Sequence, residues 1–269
     1  MSSSNKETKQ DIEYKEIFLS PLRKSRKNQP AFGGSAKETK SSYEAFLDLY
    51  GSDQFYAQLG LASEEVYSAH KAAGGLTSVY RQLGIGSERL FRAILMDKLG
   101  LSEEKINWQY EYQASPKNKV HTLDARISCS DLEGSKKVKV NDWLDESLKR
   151  VSKNSSIKVE GAVFEVRQGY KSADSKRQNA DLRFGINAYQ SSLLPVFAVF
   201  SNQVNMPVMN RYQSNGMLVL TGVSSNDPTV STFAFFDDVV GFNLANFFER
   251  NKTSISKEVV SIVGSLLKI

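Results

Sequence analysis

"VFEVRQGYKSADSKRQNADLRFGINAYQSSLLPVFAVF", Val163 to Phe200, sets the topology. It begins in an apolar run, crosses a polar stretch and ends in a second, longer apolar run. A continuous apolar run is the signature of a strand covered on both faces. Strand, helix and buried strand in series predict a right-handed parallel crossover. "SIKVEGAVFEVRQGY" is predicted as one long strand, and the helix after it has Ser172 or Asp174 as cap. Alternate side chains of a strand share a face, so Gly161, Val163, Glu165 and Arg167 point one way. A carboxylate inside such a run needs a cation, hydrogen bonds or a metal. The plainer alternative is a Glu165–Arg167 ion pair on a solvated strand.

Working upstream, "KKVKVNDWLDESLKRV" starts extended and becomes a short helix, while "KVHTLDARISCSDL" and "INWQYEYQ" read as strands. Residues 43–100 carry helical periodicity. The clearest helix is "GSERLFRAILMDKLGL", capped by Ser87, with Leu90, Phe91, Ile94 and Leu95 on one face and Gly100 as the stop. Downstream, "NQVNMPVMNRYQSNG" reads as a polar loop or, more sharply, a base-contacting segment with Arg211 and Tyr212. Met206 and Met209 there are packing residues. "GMLVLTG" is a strand, and "FNLANFFERN" and "SKEVVSIVGSLL" are two closing helices, the first starting at Asn243. The expected class is α/β: a central mixed β-sheet flanked by helices, with a helical N-terminal region.

The 269 residues are 40% hydrophobic and 24% charged, ordinary for a globular protein. A net charge of +5 and a pI of about 9.1 suit a polyanionic partner. The single cysteine, Cys129, rules out an internal disulfide and a thiolate metal site. No apolar leader opens the chain, and no run reaches the roughly 18 apolar residues of a membrane span. A cytoplasmic location is expected. Residues 1–42 read as a flexible arm whose "PLRKSRKNQP", Pro21 to Pro30, is either solvated or lies along phosphates. Residues 43–269 read as one domain, with a core at about 74–202 and an extension from 203.

Three acids are candidate ligands. Asp124 lies one strand before Glu165, and two hard oxygen donors a few ångströms apart suit Mg²⁺; the plainer alternative is an Asp in a turn or an Asp124–Arg126 pair. Glu88, in the first turn of its helix, either complements the dipole or adds a further ligand. Beside them cluster Lys171, Lys176, Arg177, Gln178, Asn179 and Arg183, which can grip phosphates and read base edges. A metal-binding carboxylate ringed by such groups describes a phosphodiesterase. His70 and His121 read as surface or core histidines, with His121 on the strand face opposite Asp124. No nucleophilic triad, zinc cluster or Walker loop is present, and "GIG" lacks the third glycine of a dinucleotide loop. "FAFFDDVVGFNLANFFERN" reads as core, with a dimer seam as the secondary reading.

At these residues the chain resembles the PD-(D/E)XK nuclease superfamily, especially type II restriction endonucleases. Asp124 matches that pattern's first acid, "EVR" from Glu165 to Arg167 its (Asp/Glu)-x-Lys tripeptide, and Glu88 its helical acid. The helix and strand that follow match its next two elements, so the likeness covers about residues 74–202. It implies a Mg²⁺-dependent endonuclease acting on double-stranded DNA as a homodimer, with a cognate DNA methyltransferase in the same system. Asp124, Glu165 and Glu88 would be metal ligands. Arg167 and Lys171 would join the catalytic set, and Lys176, Arg177, Gln178, Arg183 and Arg211 would bind DNA. Two departures stand out: Arg167 occupies the usual Lys position, and no Pro precedes Asp124. A repair or junction-cutting nuclease of the same superfamily is one alternative. A nucleic-acid-binding module without catalysis is the other.

Overall fold

The computed structural model describes residues 8–27, 42–114, 117–152, 157–170 and 175–266. The sequence yields α1 (Lys9–Leu19), α2 (Ser42–Ser52), α3 (Gln54–Gln58), α4 (Glu64–Leu99) and α5 (Glu103–Ile106). The strands β1 (Trp108–Ala114), β2 (Lys117–Leu123) and β3 (Ala125–Ser128) follow. Then come α6 (Gly134–Val151), β4 (Gly161–Arg167), α7 (Ser175–Gln190), β5 (Leu193–Val199), α8 (Met206–Ser214) and β6 (Leu218–Leu220). The chain closes with α9 (Thr232–Ala234), a π-helical turn (Phe235–Val240) and α10 (Leu244–Leu266). Contacts divide it into two compact units, Met1–Tyr14 with Ser87–Arg250 and Lys15–Gly86 with Asn251–Ile269, where composition suggests one domain behind an arm.

The first unit holds a four-stranded sheet in the order β3-β4-β5-β6. β3 runs antiparallel to β4, and β4, β5 and β6 are parallel, so the sheet is mixed and the expected β4-α7-β5 crossover forms. The alternation of β4 divides the core. Phe164 on the even face meets Phe91 of α4 at 5.1 Å, Phe235 at 5.5 Å and Trp143 of α6 at 6.2 Å between ring centroids. Val163 on the odd face joins Phe184 of α7, Phe197 of β5 and Tyr212 of α8 in a second buried cluster. Helices thus flank both faces of the sheet. β5 is buried along its whole length, as a continuous apolar strand between two layers must be.

Several elements differ from their local reading. α4 is unbroken from Glu64 to Leu99, so Ser87 is a buried mid-helix residue rather than a cap, and Glu88 is not in a first turn. Gly86 serves packing instead, because a side chain on it would meet the Phe18 carbonyl at 2.3 Å, whereas Gly84 faces open space. Gly100 does stop the helix, at φ +77°. α6 is helical throughout. Val140, Trp143, Leu144 and Ser147 are buried at helical spacing, while Val138 of the apparent β-alternation is exposed.

The predicted single strand through "KVHTLDARIS" divides at Asp124: β2 pairs with β1 in a separate ribbon, and β3 joins the main sheet. The long strand through Glu165 is seven residues. The amide-rich 202–216 loop contains α8, capped by Asn205 with Pro207 in its first turn. Met209 packs in the core as expected, whereas Met206 is exposed. The two closing helices are one, started by Asn243, because no Gly or Pro interrupts the segment between them. Part of the N-terminal arm is ordered: Tyr14 donates to Asp97, Arg250 grips Asp11, and Arg23 pairs with Glu16 and Glu258. Residues 28–41 lie outside the described residues. Among the described residues no helix is long and apolar enough to cross a membrane.

Gly161 makes the β3–β4 contact possible, because a Cβ there would sit 2.2 Å from the Ile127 carbonyl oxygen. Backbone cannot yield as a flexible side chain can. Gly161→Ala is expected to cost about 2 kcal/mol or more in urea unfolding.

Candidate active site

Two carboxyl groups, Asp124 and Glu165, come together at the β3–β4 junction, and Glu88 of α4 is near enough to act on both by charge. The register Ala125↔Phe164 brings Asp124, between β2 and β3, beside Glu165 on β4. The Val166 amide donates to Asp124 Oδ2 at 2.6 Å, and the Asp124 amide donates to the Phe164 carbonyl at 3.2 Å. Arg92 of α4 fixes this corner, donating to the Asp124 carbonyl at 3.1 Å and to Glu103 and Asn107 at 2.6 and 2.7 Å. Glu88, on the same helix as Arg92, is half-buried and acts electrostatically on both other acids.

Glu165 is buried, and its Oε1 lies 2.6 Å from Arg167 Nη2. The same Arg167 nitrogen is 3.6 Å from Asp181 Oδ1 on α7. Arg167 Nε is buried with no hydrogen-bond partner among the described residues. One guanidinium thus faces two carboxylates while Asp124 and Glu88 stand close by. The proton affinities follow. Asp124 is pushed up to about 8, first by burial and then by the charges of Glu165 and Glu88, against the pull of the Val166 amide and Arg167. Burial also raises Glu165, with Arg167 opposing, and raises Glu88, opposed by Arg89, Arg92 and Arg167. The result is three carboxyl groups that burial makes harder to ionise, in spite of the arginines around them.

His121 is the residue that local reading missed. Its Nε2 is 4.0 Å from Glu165 Oε2, because the strand it was assigned to ends at Leu123 and does not carry its alternation through Asp124. Its ring packs on Tyr110 at 5.4 Å between centroids. Burial, aided by Arg167, lowers its proton affinity and favours the neutral imidazole. Asp181 was also passed over. Its Oδ2 accepts from Tyr170 at 2.8 Å and from Tyr212 at 2.6 Å, both hydroxyls being buried. Its only sequence signal was an acid in an otherwise cationic helix. Asp181→Ala leaves the Tyr170 and Tyr212 hydroxyls, 2.8 Å apart, only each other as partner, and one face of Arg167 uncompensated. It is expected to cost about 3 kcal/mol in chemical denaturation, and Tyr212→Phe about 1 kcal/mol.

The other sequence candidates divide. Lys176 and Arg177 are exposed at the start of α7, where Arg177 lies 5.4 Å over the Tyr170 ring. Arg183 is exposed one face further along and covers Tyr112 at 5.0 Å. Gln178, expected to face DNA, is instead buried and accepts from Arg211 at 2.7 Å, with Arg211 also reaching Asn179 at 3.5 Å. This link ties α8 to α7, because the segment of Arg211 is a helix and not a loop. Lys171, with the proposed caps Ser172 and Asp174, lies outside the described residues. His70 belongs to the second unit, where it meets Tyr50 of that same unit at 2.9 Å.

Among the described residues no three His, Cys, Asp or Glu side chains are gathered into a metal-holding group. The donor chemistry nonetheless fits a hard divalent cation: the groups offer carboxyl oxygens, burial raises the proton affinity of all three, and Glu165 and Glu88 add to that of Asp124. Comparison with known proteins finds no matching family model, no matching curated protein and no matching solved structure.

Proposed function

We propose that the protein is a Mg²⁺-dependent endonuclease acting on double-stranded DNA, of the restriction type, with the PD-(D/E)XK arrangement on a restriction-endonuclease-like fold. What carries the reading is the meeting of Asp124, just before β3, with Glu165 on β4, under the charge of Glu88 from the helix packed on the sheet. Asp124 and Glu165 would hold the ion, with Glu88 assisting. A bound Mg²⁺ would polarise a phosphoryl oxygen and acidify a water.

The chain's own groups supply the rest. Arg167 stays protonated at any working pH, so it does not act as a base. It directs a cation at the phosphate, steered by Glu165 on one side and Asp181 on the other. The exposed Lys176, Arg177 and Arg183 of α7 would position the backbone by charge. Two copies related by a two-fold axis would bring one site to each strand of a duplex. A methyltransferase of matching specificity would then protect the host DNA.

Supercoiled plasmid with Mg²⁺, Ca²⁺ or EDTA tests the reading. Discrete linear fragments with Mg²⁺ alone are the expected result. A smear, or cutting of branched DNA only, favours a repair enzyme, and a mobility shift without cleavage in any divalent ion overturns the catalytic assignment.

A further inference from the structure

We infer that Lys119 and Arg183 hold a backbone phosphate of the DNA strand that runs to Glu165, on the inward face of the β1–β2 ribbon. The inference rests on duplex DNA being the substrate and adds a phosphate site to that reading. β1 and β2 pair antiparallel, so residues opposite each other share a face. The inward face holds Trp108↔Leu123, Tyr110↔His121 and Tyr112↔Lys119. These three pairs grade from core to solvent. Leu123 is buried, and Trp108 and Tyr110 pack on the core cluster of α7 and α8. His121 Nε2 comes within 4.0 Å of Glu165. Tyr112 is half-buried, and Lys119 is exposed.

Arg183 is built into the outer end of this face. Trp108, Tyr110 and Tyr112 form a ladder, with ring centroids 5.5 and 6.1 Å apart. Arg183, reaching across from α7, stands 5.0 Å over the last ring. A guanidinium stacked on an aromatic face is oriented by it, while its N–H groups point outward around the rim and can donate. Tyr112 and Lys119 are partners in register, so Lys119 and Arg183 are neighbours of the same ring.

The two charges are unmatched. Around the site Arg92 pairs with Glu103, Arg126 with Asp131 and Arg167 with Glu165. Among the described residues no carboxylate pairs with Lys119 or Arg183. Glu111, the one acid of the ribbon, lies on its other face. Arg183 acts by charge on both Tyr110 and His121, so its field extends along the face toward Glu165. Positive charge with no protein counter-ion, leading to a phosphodiester-cutting site, is matched by a phosphate. Lys119 lies two residues from His121 along β2, a separation of about 6.8 Å, or about two base steps of 3.4 Å. The phosphate it holds is therefore about two nucleotides from the one at Glu165.

Binding to two short duplexes of unrelated sequence in Ca²⁺, across a salt series, tests the grip without relying on cleavage. The full chain is compared with Lys119→Gln/Arg183→Gln and with Lys136→Gln/Lys149→Gln. The second pair removes the same charge from exposed positions of α6, on the opposite side of the sheet from α7. Lys119→Gln/Arg183→Gln is expected to weaken binding to both duplexes equally, by about tenfold or more. Its slope of log affinity against log salt should be shallower than the wild type's by about one to two. The α6 variant should keep the wild-type slope, and all three proteins the same circular dichroism melt. A wild-type slope in Lys119→Gln/Arg183→Gln overturns the inference. So does an equal change in the α6 variant, which would make the effect one of net charge. A loss confined to one duplex overturns it too, by making the contact one with bases. Mg²⁺-dependent cleavage with an unchanged slope sinks the inference alone, and a wild type that binds neither duplex removes the nuclease reading with it. The expected slopes in a protein that never cuts DNA leave the inference standing and remove the nuclease reading instead.

Discussion

Glu165→Gln is expected to reduce Mg²⁺-dependent DNA cleavage by about a thousandfold, the scale of losing a group that stabilises charge in the transition state. The fold should survive. Glutamine matches the volume of the buried side chain, keeps an oxygen for Arg167 and removes a carboxyl whose charged form burial disfavours. Arg167 also retains Asp181 as a counter-charge. The thermal midpoint should therefore stay level or rise in metal-free buffer, because repulsion with Asp124 is relieved. A plasmid time course and a circular dichroism melt on the same preparation measure both. Cleavage at the wild-type rate would remove Glu165 from the chemistry, whereas a lost fold would make it a structural ion pair.

The second large effect is in pH. Asp124 keeps its proton in the folded state up to about pH 8, whereas the unfolded chain releases it near the ordinary value of 3.8. Between these values the folded state binds more protons, so metal-free stability falls as pH rises. The contribution is fully present below pH 3.8 and is gone above about 8. Discounted for the solvent reaching this partly exposed carboxyl, a fall of roughly 3–6 °C in thermal midpoint from pH 5.5 to 8.5 is expected. Asp124→Asn, which keeps an oxygen for the Val166 amide, should flatten that slope. A divalent ion must displace the proton, so Mg²⁺ should stabilise the wild type more at pH 8.5 than at pH 6. Equal stabilisation at both pH values, or a slope that persists in Asp124→Asn, would show that Asp124 neither titrates in this range nor meets the ion.

How much was legible follows from how local each signal is. The β4-α7-β5 crossover could be read directly, because a buried strand must be apolar along its length and Leu193–Val199 is. The faces of β4 followed from alternation alone, and the Glu165–Arg167 pair with them. Helical residues 136–140 were misread because "KKVKV" alternates, a pattern overruled when Trp143 stacked on Phe164 and Val140 was buried on the same helix. Gly86 in α4 could not be read as a packing position, because the Phe18 carbonyl that exploits its missing side chain is distant in sequence.

The site divides along the same line. Residue types and order marked Asp124, Glu165 and Glu88, since acids set into apolar or helical surroundings stand out in a single chain. His121, Asp181, Tyr170 and Tyr212 carry no such mark. Their roles depend on where β2 breaks and on which turn of α7 faces β4, and pairing and packing between distant segments settle both. Side-chain identity is a property of one position, but the electrostatic setting of a carboxylate belongs to everything packed around it. That is why the chain could nominate its acids, while their shifted proton affinities arise only once four segments of the fold are brought together.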